Sequence, residues 1–309
     1  MLLARQFVPF AGKRFLAVLA LCVLCETAVA QSSETMSKIR EKHEITLGVR
    51  ETALPFSYLD DAHHFVGYSV DLCLRVVDAV KTSLKLPDLK VNMVPIASSN
   101  RIPLIANGTV DLECGTTSNT VERQQQVAFS STIFVSSTRF VSKKSAGLDN
   151  LDTLRGKRVV ATAGSSNLRQ ITALNVAHSY NMQISPSRDF AEGFLMMDTD
   201  RAAAFFLDDI TLSALAASSK NPADFVISKE PLSVEPYALV MRKDDPVFKS
   251  IVDGALKSTF ESGAIDAIYT RWFESPIPPK GINLHVPVSP ALRKAFARPT
   301  DSADPASYQ

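Results

Sequence analysis

The sequence predicts an α/β protein with mainly parallel sheets, on three observations. Short apolar alternations trade places with helical periodicity along most of the chain. That alternation runs in two series, divided near Lys143-Lys-Ser-Ala-Gly147. The 309 residues suffice for one large domain or for two lobes with separate cores.

The first thirty residues form three zones. A basic stretch ends at Lys13-Arg14, an apolar run of eleven residues follows from Phe15 to Cys25, and small residues end at Ala28-Val-Ala30. This is the grammar of a secretory signal cleaved near Ala30, which places the mature chain in the periplasm. The apolar run is too short for a membrane span, which needs about 20 residues. Leu before both Cys22 and Cys25 speaks against a lipoprotein.

In the first series, Ile45, Leu47 and Val49 alternate as a strand, and Val70, Cys73, Val77, Val80 and Leu84 share one helical face. Val91–Val94 and Val110–Cys114 read as strands, and 101–107 and 121–126 as helices. In the second series Arg158–Thr162 is a strand, 165–178 a helix, and Ala202–Phe206 a strand running into Asp208-Asp209. Phe225–Ile227 and Tyr237–Met241 are further strands, followed by helices over 246–263 and 264–273. The Pro-rich tail from Ser275 is expected to wrap the surface or to stay loose.

Hydrophobic residues make up 46% and charged residues 21%, an ordinary globular balance. The formal net charge is +1, and removing the first thirty residues leaves 30 basic and 31 acidic residues. No basic footprint of a nucleic-acid binder exists, so any electrostatic function must be local. Cys73 and Cys114 remain after cleavage. An oxidising compartment permits a disulfide, but two small buried apolar residues are the expectation here. The five histidines lack metal-ligand spacing, and His63-His64 reads as a solvated turn. No P-loop and no G-x-S-x-G occurs, and no cofactor is expected. Phe56, Tyr58, Tyr68 and Phe134 are read as core.

In α/β sheets of this kind, ligands sit beyond the carboxyl ends of the strands. That rule puts Arg50, Thr116–Ser118 and Asp208 in candidate site loops.

Pro55-Phe-Ser-Tyr58 and Gly67-Tyr-Ser-Val-Asp-Leu72 resemble the signature of family 3 periplasmic solute-binding proteins, with Ser69 where an acidic residue is usual. The motifs Gly48–Glu51, Ser98–Leu104, Asn107–Asp111, Glu113–Arg123, Phe129–Phe134, Arg242–Pro246 and Trp272–Lys280 extend the likeness over residues 36–290. Together they resemble the glutamate/aspartate-binding components of ABC importers. The resemblance implies a type II periplasmic-binding-protein fold, a monomer that docks to a membrane permease with its ATPase. One lobe is implied over 36–140 plus 236–280 and the other over 141–235, joined by a two-strand hinge. Residues 281–309 form a C-terminal extension.

The same resemblance implies the site. An acidic amino acid brings two carboxylates and one ammonium, and burying them requires paired charge. Arg123 with Ser118 is implied for the α-carboxylate, and Arg50, Arg101 and Ser98 for the distal one. Arginine suits both because its planar fork donates two parallel hydrogen bonds. Asp208 is implied for the ammonium, with Thr116 accepting from it, although capping of the next helix is the alternative for Asp208 or Asp209. Ser165 and Ser166 open a helix in the second lobe, and their backbone N–H groups could meet a carboxylate across the cleft, or they simply cap that helix. Phe190 stands where acidic-amino-acid binders carry a histidine, which leaves the choice among glutamate, aspartate and other dicarboxylates open.

Other readings use the same pocket. They are a binder of another amino-acid-like ligand, a sensory binding protein feeding a receptor, and a dehydratase on the same fold. The Arg-rich pocket argues against the dehydratase, so no catalytic residue is expected.

Overall fold

The computed structural model describes residues 2–4 and 33–308, so the secretory signal expected over 1–30 lies almost wholly outside the described residues. Two five-stranded sheets dominate. The first has the order Lys90–Pro95, Glu44–Val49, Leu112–Cys114, Val240–Arg242, Val127–Phe129. The second has the order Gln183–Ser187, Arg158–Thr162, Ala204–Asp208, Thr138–Lys143, Phe225–Ile227. In each, three neighbouring strands are parallel, the fourth turns back, and the fifth pairs antiparallel to the fourth. Four of the five strands in each sheet therefore run one way.

The two sheets are linked by an antiparallel pair. The chain leaves the first sheet along Phe134–Ser136 and comes back along Glu235–Tyr237, and these segments pair with each other. The second sheet starts earlier than residue 141. Thr138 and Phe140 already pair with Asp208 and Phe206, so 138–140 belong to that sheet rather than to the 36–140 segment.

Period-two alternation explains the packing of the second sheet. Phe205 and Leu207 face one apolar cluster with Val160, Phe190 and Phe194, while Ala204 and Phe206 face another with Phe140, Val159 and Ile171. The first sheet packs the helix Tyr68–Leu84 through Val70, Cys73, Val77, Val80 and Leu84, the face that the sequence marks. Behind the connecting pair, Phe56, Tyr68, Phe134, Tyr237 and Phe273 interlock edge-to-face and stacked, with centroids 5.0–6.0 Å apart where Phe56 or Phe134 meets its neighbours Tyr237 and Phe273. All four aromatics read as core are buried there.

One expectation is corrected, and one left open between two alternatives is decided. Cys73 and Cys114 are joined in a disulfide, with Cα atoms 6.1 Å apart, tying the helix Tyr68–Leu84 to the strand Leu112–Cys114. Periodicity marks both positions as buried but carries no information about their mutual distance. The tail is ordered and anchored, not loose. It forms a helix over Pro290–Ala297 with Leu292 buried, and the Tyr308 hydroxyl lies 2.7 Å from Thr132 Oγ1.

Candidate functional site

Seven of the nine expected site residues sit at or just past the carboxyl end of a strand. Arg50 follows Glu44–Val49, Ser98 follows Lys90–Pro95, and Thr116 and Ser118 follow Leu112–Cys114. In the second sheet, Ser165 follows Arg158–Thr162, Phe190 follows Gln183–Ser187, and Asp208 ends Ala204–Asp208. The loops past the strands of the two sheets meet one another, through Arg50 with Phe190, Ser118 with Ser166 and Arg123 with Gly164. Arg101 and Arg123 come from the first turns of the short helices Arg101–Ala106 and Val121–Gln124, the latter capped by Thr120.

All of these residues are buried, the arginines to between 2% and 4% exposure. Arg50 Nη2 donates to Ser98 Oγ at 2.9 Å, and its backbone N–H donates to Ser57 Oγ. The Phe190 ring lies under the same guanidinium, 4.8 Å from centroid to Cζ. Arg123 Nη1 donates to the Ser118 carbonyl at 2.8 Å, and Nη2 reaches the Gly164 carbonyl of the second sheet's loop at 3.2 Å. Ser118 Oγ meets Ser166 Oγ at 3.3 Å, a further contact between the two sheets' loops.

The cations are close enough to act on one another. Burial, and then the Arg101 charge, hold the Arg50 guanidinium down to about 10 and that of Arg123 to about 9. Burial also lowers Arg101. All three remain cationic at neutral pH, held in a dry site against their mutual repulsion. Among the described residues, Arg50 Nη1, Arg101 Nε and Thr116 Oγ1 are buried without hydrogen-bond partners. Buried N–H groups of this kind demand acceptors, and an anion supplies them.

The second sheet contributes an acid whose charge acts on Arg101. Asp208 precedes the helix Asp209–Ser218 but does not cap it with its side chain, and Asp209 accepts from Ile210 N instead. The Asp208 carboxylate turns inward, accepting from Asn167 Nδ2 at 2.7 Å and from the Tyr237 hydroxyl. Ser165 is occupied by capping. Its Oγ accepts from Leu168 N and donates to the Thr162 carbonyl, which leaves Ser166 to face Ser118.

Sequence reasoning missed several participants. Glu113 is fully buried in the central strand Leu112–Cys114, accepts from Thr117 Oγ1 at 2.7 Å, and acts electrostatically on all three arginines. Glu235 accepts from Ser166 and Ser233, and Asn167 and Tyr237 hold Asp208. Gly164 has φ +76, and a Cβ there would fall 2.6 Å from the Ser98 carbonyl oxygen and the Ser99 Cα. The two loops touch backbone to backbone at that point.

Residues 45–275 match the bacterial extracellular solute-binding proteins, family 3. The chain belongs to that family. Among curated relatives, this family 3 binding protein is 45% identical to the L-glutamate/L-aspartate-binding protein of Pseudomonas aeruginosa, covering 93% of this chain and 95% of that one. It is 40% identical to the glutamate/aspartate import solute-binding protein of Escherichia coli K12, over 90% and 92%. Among solved structures it is similar to a variant of the arginine-binding protein of T. maritima, with TM-score 0.69 and 25% identity, covering 78% of this chain and 99% of that one. The family 3 chain therefore has the type II periplasmic-binding-protein fold.

Proposed function

We propose that this chain captures an acidic amino acid, glutamate or aspartate, between two lobes and delivers it to an ABC importer. The observation that carries this reading is the cluster of three buried guanidiniums, two with unpartnered N–H groups, together with the buried Asp208 carboxylate. Arg123 with Ser118 serves the α-carboxylate, and Arg50, Arg101 and Ser98 serve the distal one. Asp208 pairs with the ammonium, with Thr116 beside it. A neutral side chain leaves two buried guanidiniums short of acceptors, and this selects for the anion. Phe190 gives the distal end an apolar wall over Arg50.

The lobes correspond to the two sheets, and the pair Phe134–Ser136 with Glu235–Tyr237 serves as hinge. A ligand touching both sides favours closure because it binds the closed state better. The names of the relatives, which speak of glutamate, aspartate and import, support the same reading. The chain acts in the periplasm after cleavage near Ala30, as a monomer and without turnover.

Calorimetry of the mature protein with glutamate, aspartate, glutamine, arginine and succinate tests the reading, with the ligand recovered afterwards. Single-site binding of glutamate or aspartate, recovered unchanged, is the expected result. Binding of only neutral or basic amino acids, or recovery of a product, overturns it.

A further inference from the structure

Glu113 is an unusual residue to find in the middle of a sheet strand. It has no exposed surface, and among the described residues its Oε2 has no hydrogen-bond partner while Oε1 has only Thr117 Oγ1. An ionised carboxylate with an unpartnered oxygen in such a place is costly unless cations stand near. The Arg50 side chain passes close by: Glu113 Oε1 and Arg50 Cγ both lie within 3.2 Å of the point that a Cβ on Gly115 would occupy. Its charge also favours the cationic forms of Arg50, Arg101 and Arg123. The strand is fixed from both sides. It pairs with Glu44–Val49 and Val240–Arg242, and the next residue, Cys114, is bonded to Cys73. The backbone that carries Glu113 therefore has little freedom to shift toward a guanidinium.

We propose that Glu113 is a specificity-determining residue, a buried countercharge to the three guanidiniums that makes the pocket prefer an anion carrying its own ammonium over a simple dicarboxylate. The inference rests on the proposed acidic-amino-acid function. The carboxylates of aspartate and of succinate are repelled by Glu113 alike, so that repulsion cancels in a comparison of the two ligands. The attraction of Glu113 for the ammonium does not cancel, because only aspartate has one. Specificity is that difference, and the repulsive element is as much a part of it as the attractive one. Asp208 supplies the direct ammonium partner, and Glu113 adds a field of its own.

The test is the ratio of aspartate to succinate affinity, measured by calorimetry on the full mature chain. Glu113→Gln is expected to narrow the ratio about tenfold, the scale for one charge acting over several ångströms of protein. Glu113→Asp keeps the charge and is expected to leave the ratio within about twofold. Glu113→Leu is a second neutral variant, which removes the charge without adding a polar group to the strand. An unchanged ratio in a folded neutral variant overturns the inference. Failure of both neutral variants to fold, with Glu113→Asp folded, also overturns it, because the carboxylate then serves stability. If the wild-type chain binds no acidic amino acid, the proposed function itself falls, and that outcome is separate from the other two.

Discussion

The Tyr237 hydroxyl donates to one oxygen of the Asp208 carboxylate, and the Asn167 amide donates to the other at 2.7 Å. Even with both donors, burial and then the neighbouring Glu235 push the Asp208 carboxyl up to about 7, with Asp209 adding to the rise. Between about pH 4, the ordinary carboxyl value, and this raised value, the folded chain holds a proton that the unfolded chain has released. The contribution of this group to stability is therefore full below that window, falls as pH rises through it, and is level above it. An ammonium beside Asp208 reverses the preference and favours the carboxylate. Binding of glutamate or aspartate should release a proton below neutral pH, and affinity should weaken by roughly ten- to thirtyfold from about pH 8 to about pH 5.5. Calorimetry in buffers of different ionisation enthalpy reads the proton directly. Asp208→Asn should lose the proton release together with most of the binding.

Arg101 lies in the middle of the cation cluster, and its charge lowers both Arg50 and Arg123. Replacing it with an apolar residue removes a buried charge and the repulsion that it exerts. Arg101→Met should leave the ligand-free protein within about 2 kcal/mol of the wild type in urea melts, because relief of repulsion on Arg50 and Arg123 offsets the attraction lost to Glu113 and Asp208. Affinity for acidic ligands should fall by about 3 kcal/mol or more, the scale of losing charge-assisted hydrogen bonds to a carboxylate. A coupled loss of stability and binding would make Arg101 a structural residue.

The strand-end rule alone made the loops of Arg50, Thr116–Ser118 and Asp208 legible, whereas Ser98, Arg101, Arg123, Ser165 and Phe190 were named through the family resemblance. The helix Tyr68–Leu84 and the strand Arg158–Thr162 were legible from apolar spacing alone. Glu113 was hidden because a polar residue between Leu112 and Cys114 looks like the solvent-facing position of an alternating strand, and only the packed structure shows that no solvent is there. Asn167, Tyr237 and Glu235 reach Asp208 or its neighbours from separate elements, a tertiary fact with no local signal. The helix Pro290–Ala297 did carry a signal, Ser289 as cap and Pro290 in the first turn, but the surrounding prolines masked it.

The Cys73–Cys114 bond closes a sequence separation of 41 residues between the main helix of the first sheet and the strand that bears Glu113. Loop-closure entropy at that length puts its contribution at about 4 kcal/mol, with measured cases commonly about 2–4 kcal/mol. The variant with both cysteines changed to Ala should lose about that much in a guanidinium melt. It should also bind acidic ligands less tightly, because the strand placing Glu113, Thr116 and Ser118 is less firmly held. Equal stability of the reduced and oxidised protein would show that the bond adds nothing to the fold.

Gly164 tests closure without touching a charge. Its φ of +76 disfavours any residue with a side chain, and an added Cβ would sit 2.6 Å from the Ser98 carbonyl oxygen and the Ser99 Cα. Both obstacles are backbone on the opposite loop, so the loops must separate to admit a methyl group. Arg123 Nη2 holds the Gly164 carbonyl, and Arg50 holds Ser98, so separation also disturbs both of the proposed carboxylate clamps. Gly164→Ala should cost about 1 kcal/mol of stability through its backbone conformation. It should weaken acidic-ligand affinity much more, by at least about tenfold, which is about 1.4 kcal/mol. Small-angle scattering should show the variant staying extended at ligand concentrations that compact the wild type. If Gly164→Ala binds as tightly as the wild type, the backbone contact between the two loops is not part of the ligand-bound state.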